Sequence, residues 1–166
     1  IIICMNNHEK YMKMCFELAL LGKGQVSPNP MVGCVVLDKD GNAVSKGYHK
    51  KYGENHAERD ALTKLQNNET EGGTLYVNLE PCSHYGKTPP CVDLIIEHKL
   101  KKVVFAMRDP NYKVDGVNKL RQAGVEVIEG VLEDEAKFLN RVFVKNITQK
   151  LPYVVIKTAT TLDGKI

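Results

Sequence analysis

The chain has no tryptophan, and phenylalanine and tyrosine bring its aromatic content to only 7%. Proteins that hold single-stranded nucleic acid stack bases on aromatic side chains along a basic groove. This sequence offers few such platforms. It also has no long basic run, only small clusters such as Lys99, Lys101 and Lys102. With 23 basic and 20 acidic residues, the formal charge of +3 is too balanced to point to a polyanion. No nucleic-acid partner is expected. No apolar stretch approaches the ~18 residues of a membrane span, so no membrane partner is expected either. The apolar opening Ile1-Ile2-Ile3-Cys4 is far shorter than a signal-peptide core and has no basic segment before it. Met5 is therefore expected to be the natural start, with the first four residues a remnant. There is no internal repeat and no low-complexity tract.

What is present fits a globular chain. The 166 residues suffice for one domain with a core, at 43% hydrophobic and 26% charged content. The five cysteines, Cys4, Cys15, Cys34, Cys82 and Cys91, are odd in number and come without a secretion signal. That argues against a disulfide framework and for a reducing, cytoplasmic setting. Cysteines used together are then metal ligands before they are a bridge. Asn146-Ile147-Thr148 fits a glycosylation pattern that carries no meaning in that setting.

The pattern predicts an α/β protein. Met12, Cys15, Phe16, Ala19 and Leu20 mark a helix over 8–21, closed by Gly22 and Gly24. Residues 31–37 and 43–49 read as a hairpin around the turn 38–42. A helix is predicted from His56 to Leu65, a polar loop over 67–73 and a buried strand over 74–79. Residues 80–88 are irregular, and Pro89-Pro90 opens a helix through Cys91, Leu94, Ile95 and His98. A strand over 102–107, a helix over 116–123 and a strand over 125–128 follow. Leu132, Ala136, Leu139, Phe143 and Ile147 mark one longer helix, and Tyr153–Ala159 a last strand without a partner. This order suggests one mixed sheet covered by helices on both faces. The chain is expected to stop just inside a second domain.

Two stretches carry chemistry. In "NHAERDAL" (55–62), His56 and Glu58 are two residues apart, about 200° around a helix, so mid-helix they cannot share a face. At a first turn both can lean toward the helix end. A joint role therefore predicts a site at a helix N-terminus; the alternative is an ordinary polar helix start. In "EPCSHYGKTPPC" (80–91), Cys82 follows a predicted buried strand and Cys91 opens the next helix. Strand ends and helix starts on one sheet edge form the usual crevice, and a helix N-terminus lowers a thiol's pKa. One imidazole and two thiolates are three zinc ligands, leaving a fourth tetrahedral place for water, as in catalytic sites. Glu58 would be the base beside it. The alternative for the cysteines is burial alone. Cys34 and Cys15 read as core, His8 as surface, and His98 as a cap or a solvent-facing side chain.

H-x-E followed by P-C and a second cysteine resembles the signature of zinc-dependent nucleobase deaminases. His56-Ala57-Glu58 and Pro81-Cys82 match it; Cys91 departs from the common P-C-x-x-C spacing by coming nine positions after Cys82. That longer insertion, with Gly86-Lys87-Thr88-Pro89-Pro90, resembles the deaminase domain of the bifunctional riboflavin-biosynthesis deaminase/reductases. So do "SPNPMVGCVV", "GYHKKYGENHAE" and "MRDPNYKVDG", while "PYVVIKTATTLDGKI" is similar to the opening of their reductase domain. The resemblance implies a cytidine deaminase-like three-layer α/β/α sandwich with a mixed sheet of about five strands. It implies a deaminase domain over 1–150, with 151–166 the linker and first strand of a truncated reductase domain. Its substrate would be a diaminopyrimidinone ribosylamino 5′-phosphate, which loses its ring 2-amino group as ammonia. The cofactor would be Zn²⁺ on His56, Cys82 and Cys91, with Glu58 as proton carrier; NADPH would serve only the missing reductase.

By resemblance Asn29, His84, Lys87, Asp109 and Asn111 meet the substrate, and His49, at a strand end seven residues before His56, is placed to reach the same pocket. The plainer readings are a turn residue for Asn29, a solvated loop for His84 and Lys87, and turn chemistry for Asp109 and Asn111. A homo-oligomer is expected. Two other functions compete: a deaminase of nucleosides, nucleotides or transfer RNA, and a non-catalytic zinc module with His49 or His84 as fourth ligand.

Overall fold

The computed structural model describes residues 7–86, 89–111 and 113–166. Helix α1 (Asn7–Leu20) buries Met12, Cys15 and Ala19. Strands β1 (Gly33–Leu37) and β2 (Ala43–Tyr48) form a hairpin. Asp38 closes it, its Oδ1 accepting from the Asp40 and Asn42 N–H groups at 2.9 and 2.8 Å. Then come α2 (Ala57–Leu62), α3 (Asn67–Thr70), β3 (Thr74–Leu79), α4 (Cys91–Glu97), β4 (Lys102–Met107), α5 (Gly116–Gln122), β5 (Glu126–Ile128), α6 (Glu133–Leu139) and α7 (Arg141–Gln149).

The five strands make one sheet in the order β2-β1-β3-β4-β5. β1 runs antiparallel to both neighbours, while β3, β4 and β5 run parallel. β1 is buried along its whole length, and β3 and β4 beyond their first residue; β2 and the three-residue β5 are the more exposed edges. Strands sandwiched on both faces need near-continuous apolar sequence, as in Cys34-Val35-Val36-Leu37 and Val103-Val104-Phe105-Ala106-Met107. Two glycines show how closely the helices sit. A Cβ on Gly33 would fall 2.1 Å from the Cys15 carbonyl of α1, and one on Gly47 2.4 Å from the Ala57 carbonyl of α2. Gly47 pairs with Cys34, the residue after Gly33, so α1 and α2 lie on opposite faces. α2, α4 and α5 pack side by side, and α6 lies against β4.

The sequence reading needs three corrections in its elements. The loop over 67–73 contains α3, whose start is capped by Glu69 accepting from the Gln66 N–H at 2.7 Å. The single helix over 132–147 is two helices meeting at Asn140, whose side chain is engaged elsewhere. Residues 153–159 form no strand: they pair with none of the five strands of the sheet and are exposed. His98 takes the first of its two expected places, capping α4, and is buried there with Thr70 Oγ1 3.0 Å from its Nδ1. His8 is likewise only half at the surface, 2.9 Å from the Tyr76 hydroxyl. Cys15 and Cys34 are core, and Cys4 lies outside the described residues.

Candidate metal centre and substrate cavity

His56 is the N-cap residue of α2, which puts Glu58 in its first turn. Cys82 stands three positions past the end of β3, and Cys91 is the first residue of α4. The backbone folds these ends together: the Val92 N–H donates to the Cys82 carbonyl at 3.2 Å, and the Cys91 N–H to Cys82 Sγ at 3.3 Å. His56 Nδ1 lies 3.4 Å from Cys82 Sγ and 3.5 Å from Cys91 Sγ. Tetrahedral zinc with ordinary bond lengths sets a ligand nitrogen and sulfur about 3.6 Å apart. The three donors thus stand at the spacing of zinc ligands, with His56 presenting Nδ1. Among the described residues this is the one such group.

The protonation chemistry agrees. Cys82 is pulled well below the usual thiol range, chiefly by the hydrogen bond from the Cys91 thiol, with His56 adding to it. Cys91, as the donor of that bond, is pushed well above the usual thiol range. His56 is raised by its bond to Cys82. A cation replaces these shared protons and takes both sulfurs as thiolates. Burial, and after it the Cys82 sulfur, pushes Glu58 up to about 7; its side chain is 4% exposed. A carboxyl titrating near neutrality suits a proton carrier.

A cavity of about 510 Å³ opens over this group, a size suited to a small-molecule ligand. His56, Glu58 and Cys82 line it, as do Asn29, His49, His84, Asp109 and Asn111. Of the residues expected at the substrate, Lys87 alone lies outside the described residues. His49 is no spare metal ligand. Its Nδ1 donates to the Asn55 carbonyl at 2.9 Å, so its Nε2 accepts from Asn29 Nδ2 at 3.1 Å. Burial lowers its pKa and keeps it neutral, and the bond fixes which way the Asn29 amide faces. His84 is exposed on its loop. Asp109 and Asn111 show the turn chemistry expected of them, Asp109 Oδ1 accepting from the Asn111 N–H at 2.8 Å, and both line the cavity.

Several residues escaped the sequence reading. Glu80, 5% exposed, accepts from the N–H groups of Gly116 (2.9 Å), Val117 (3.2 Å) and Asp109 (3.3 Å). It ties the start of α5 and the Asp109 turn to the end of β3. Ser83 Oγ accepts from the Asp115 N–H at 2.8 Å, and Lys119 Nζ donates to the Ser83 carbonyl at 2.7 Å. The stretch around Cys82 is thus strapped to α5. Arg59 places its charge near Cys91 and His56 and reaches the Pro89 carbonyl at 3.4 Å. Phe143, Asn146 and Ile147, three and four positions apart on α7, line the cavity too. An acid directly after an apolar strand signals Glu80 in the sequence; the α7 wall gives no signal beyond its periodicity.

The fold and the His-Cys-Cys-Glu group define a zinc deaminase. Residues 5–107 match the cytidine and deoxycytidylate deaminase zinc-binding region, and the chain belongs to that family. More particularly, it is similar to riboflavin biosynthesis proteins RibD. It is 51% identical to that of Actinobacillus pleuropneumoniae over 94% of this chain and 42% of the relative. It is 51% identical to that of Aquifex aeolicus over 95% and 44%. A solved diaminohydroxyphosphoribosylaminopyrimidine deaminase/5-amino-6-(5-phosphoribosylamino)uracil reductase from Thermotoga maritima superposes with a TM-score of 0.90 at 51% identity, covering 95% of this chain and 46% of that one. The chain spans less than half the length of these relatives. No helix among the described residues is long and apolar enough to cross a membrane.

Proposed function

We propose that this chain removes the 2-amino group of a diaminopyrimidinone ribosylamino 5′-phosphate by hydrolysis, releasing ammonia. The observation that carries the reading is the convergence of His56, Cys82 and Cys91 beside a buried Glu58 on a cavity lined by Asn29, His49 and Asp109. The substrate comes from the likeness to the Thermotoga maritima enzyme.

His56, Cys82 and Cys91 would hold Zn²⁺, which when bound lowers the pKa of a water from 15.7 to about 7. Glu58 takes the proton of the attacking water and delivers it to the ring nitrogen beside C2. It then carries a proton to the departing amine, so that water's oxygen replaces nitrogen and ammonia leaves. Asn29, steadied by His49, offers a donor and an acceptor to the pyrimidine edge. Asp109 and Asn111 would meet the ribose-phosphate portion and His84 another part of the substrate, with Lys87 a candidate for polar or phosphate contacts. Residues 1–150 form the deaminase unit and 151–166 lead toward a reductase, to which any use of NADPH belongs.

A structural zinc module is disfavoured, because both nitrogens of His49 are engaged and Glu58 is buried at the cavity for no structural end. The test is ammonia release by the zinc-loaded chain from the diaminopyrimidine nucleotide, cytidine, deoxycytidylate and RNA. Release from the first alone is expected. Release from deoxycytidylate instead would reassign the substrate.

A further inference from the structure

The backbone of Met31 is gripped by two side-chain amides from distant parts of the chain. Its N–H donates to Asn140 Oδ1 at 2.8 Å. Its carbonyl accepts from Asn140 Nδ2 and from Asn78 Nδ2, both at 3.0 Å. Asn78 Oδ1 accepts from the Gly33 N–H at 2.8 Å. Asn78 is fully buried and Asn140 2% exposed, so both side-chain polar atoms of each are spent on one short segment. A buried amide is costly when unpaired, which makes such a grip demanding about where that segment lies.

The sequence around Met31 shows why an outside grip is needed. Pro28 and Pro30 have no N–H. Over residues 28–31 the backbone donors are therefore those of Asn29 and Met31. The Asn29 N–H is used locally, closing a turn onto the Val26 carbonyl at 2.8 Å. That leaves the Met31 N–H as the point where the segment can be tied to the body of the protein, and Asn140 takes it. Two residues away, the Asn29 side chain lines the cavity and donates to His49 Nε2. Asn140 itself does not line the cavity and is not among the candidate metal ligands. It sits where α6 gives way to α7, the break that helical periodicity alone does not foretell.

We infer that Asn140 is a positioning residue for deamination: through Met31 it sets where Asn29 presents its amide to the pyrimidine edge. The inference rests on the function proposed above. Asn140→Asp keeps the size and the acceptor for the Met31 N–H but turns an oxygen toward the Met31 carbonyl, so it displaces the segment without opening a cavity. In the zinc-loaded chain this variant is expected to raise KM roughly 10- to 100-fold with a much smaller change in kcat and unchanged zinc content. Combined with Asn29→Ala, Asn140→Asp is expected to add no further rise in KM, because its route to substrate is already gone. Rises that multiply, or a loss confined to kcat or zinc content, overturn the inference. A readout that needs no turnover separates this from failure of the proposed reaction. The imidazole ¹⁵N resonances of His49 should shift in Asn140→Asp in the direction they take in Asn29→Ala; resonances left where the unaltered chain has them would sink the idea.

Discussion

Glu58 is the side chain on which turnover depends most directly. It is buried beside a sulfur, and that setting raises its pKa far above the usual carboxylate range. Replacing it with glutamine keeps its size and leaves His56, Cys82 and Cys91 in place. Glu58→Gln is therefore expected to lower kcat by about 100- to 10,000-fold while zinc analysis finds the metal still bound. Cys82→Ser removes one of two sulfurs and is expected to strip zinc outright, seen by the same analysis. These side chains were legible in the sequence because their types and spacing are demanded by metal chemistry, whatever the surrounding fold. Asn78 and Asn140 were not legible in that way. An asparagine announces a hydrogen bond but not its partner, and their shared partner, Met31, is 109 positions from Asn140. Asn146 went unread because its triplet drew attention to a modification, while its position on the α7 face is a matter of packing.

Elements are held in place by a few close approaches. A methyl on Gly47 would meet the backbone of α2 at Ala57 and Ala61. Gly47→Ala is expected to cost about 1–3 kcal/mol or more in urea unfolding, since backbone cannot move aside as a side chain can. Glu80→Ala leaves buried N–H groups at the start of α5 and at Asp109 without their carboxylate, and about 1.5–3 kcal/mol is the expected loss. His98 makes one junction sensitive to pH. Burial holds its pKa below the ordinary value of about 6.5, so the unfolded chain takes up the proton first. The junction's stability is complete above that ordinary value and falls as pH drops through the folded one. Urea midpoints measured from pH 7.5 down to 5 should fall less steeply in His98→Gln than in the unaltered chain. Most elements could be read from periodicity, yet the α6–α7 break could not: Leu139, Phe143 and Ile147 keep helical spacing across it while Asn140 is drawn off to another part of the molecule.

At the scale of the whole molecule, the mixed sheet brings together groups that are far apart in sequence. His56 meets Cys91 across 35 positions, so the unfolded chain holds no preformed trio. Zinc should therefore stabilise the folded form, by about 2.7 kcal/mol at a free concentration 100 times its Kd. A thermal scan with and without a chelator checks this; equal midpoints would mean that the trio binds no ion. The sheet was legible because its inner strands are largely apolar, whereas the β-branched run Tyr153–Ile156 has a strand's composition but pairs with none of the five strands. The loop from Ser83 to Pro90 has a further consequence. Its two ends are pinned, by Val92 to Cys82 on one side and by α5 to Ser83 on the other. Because those ties are made by backbone groups on either side of it, the two sulfurs are registered to one another at its ends, and the corner that would grip a cation is set before any ion arrives.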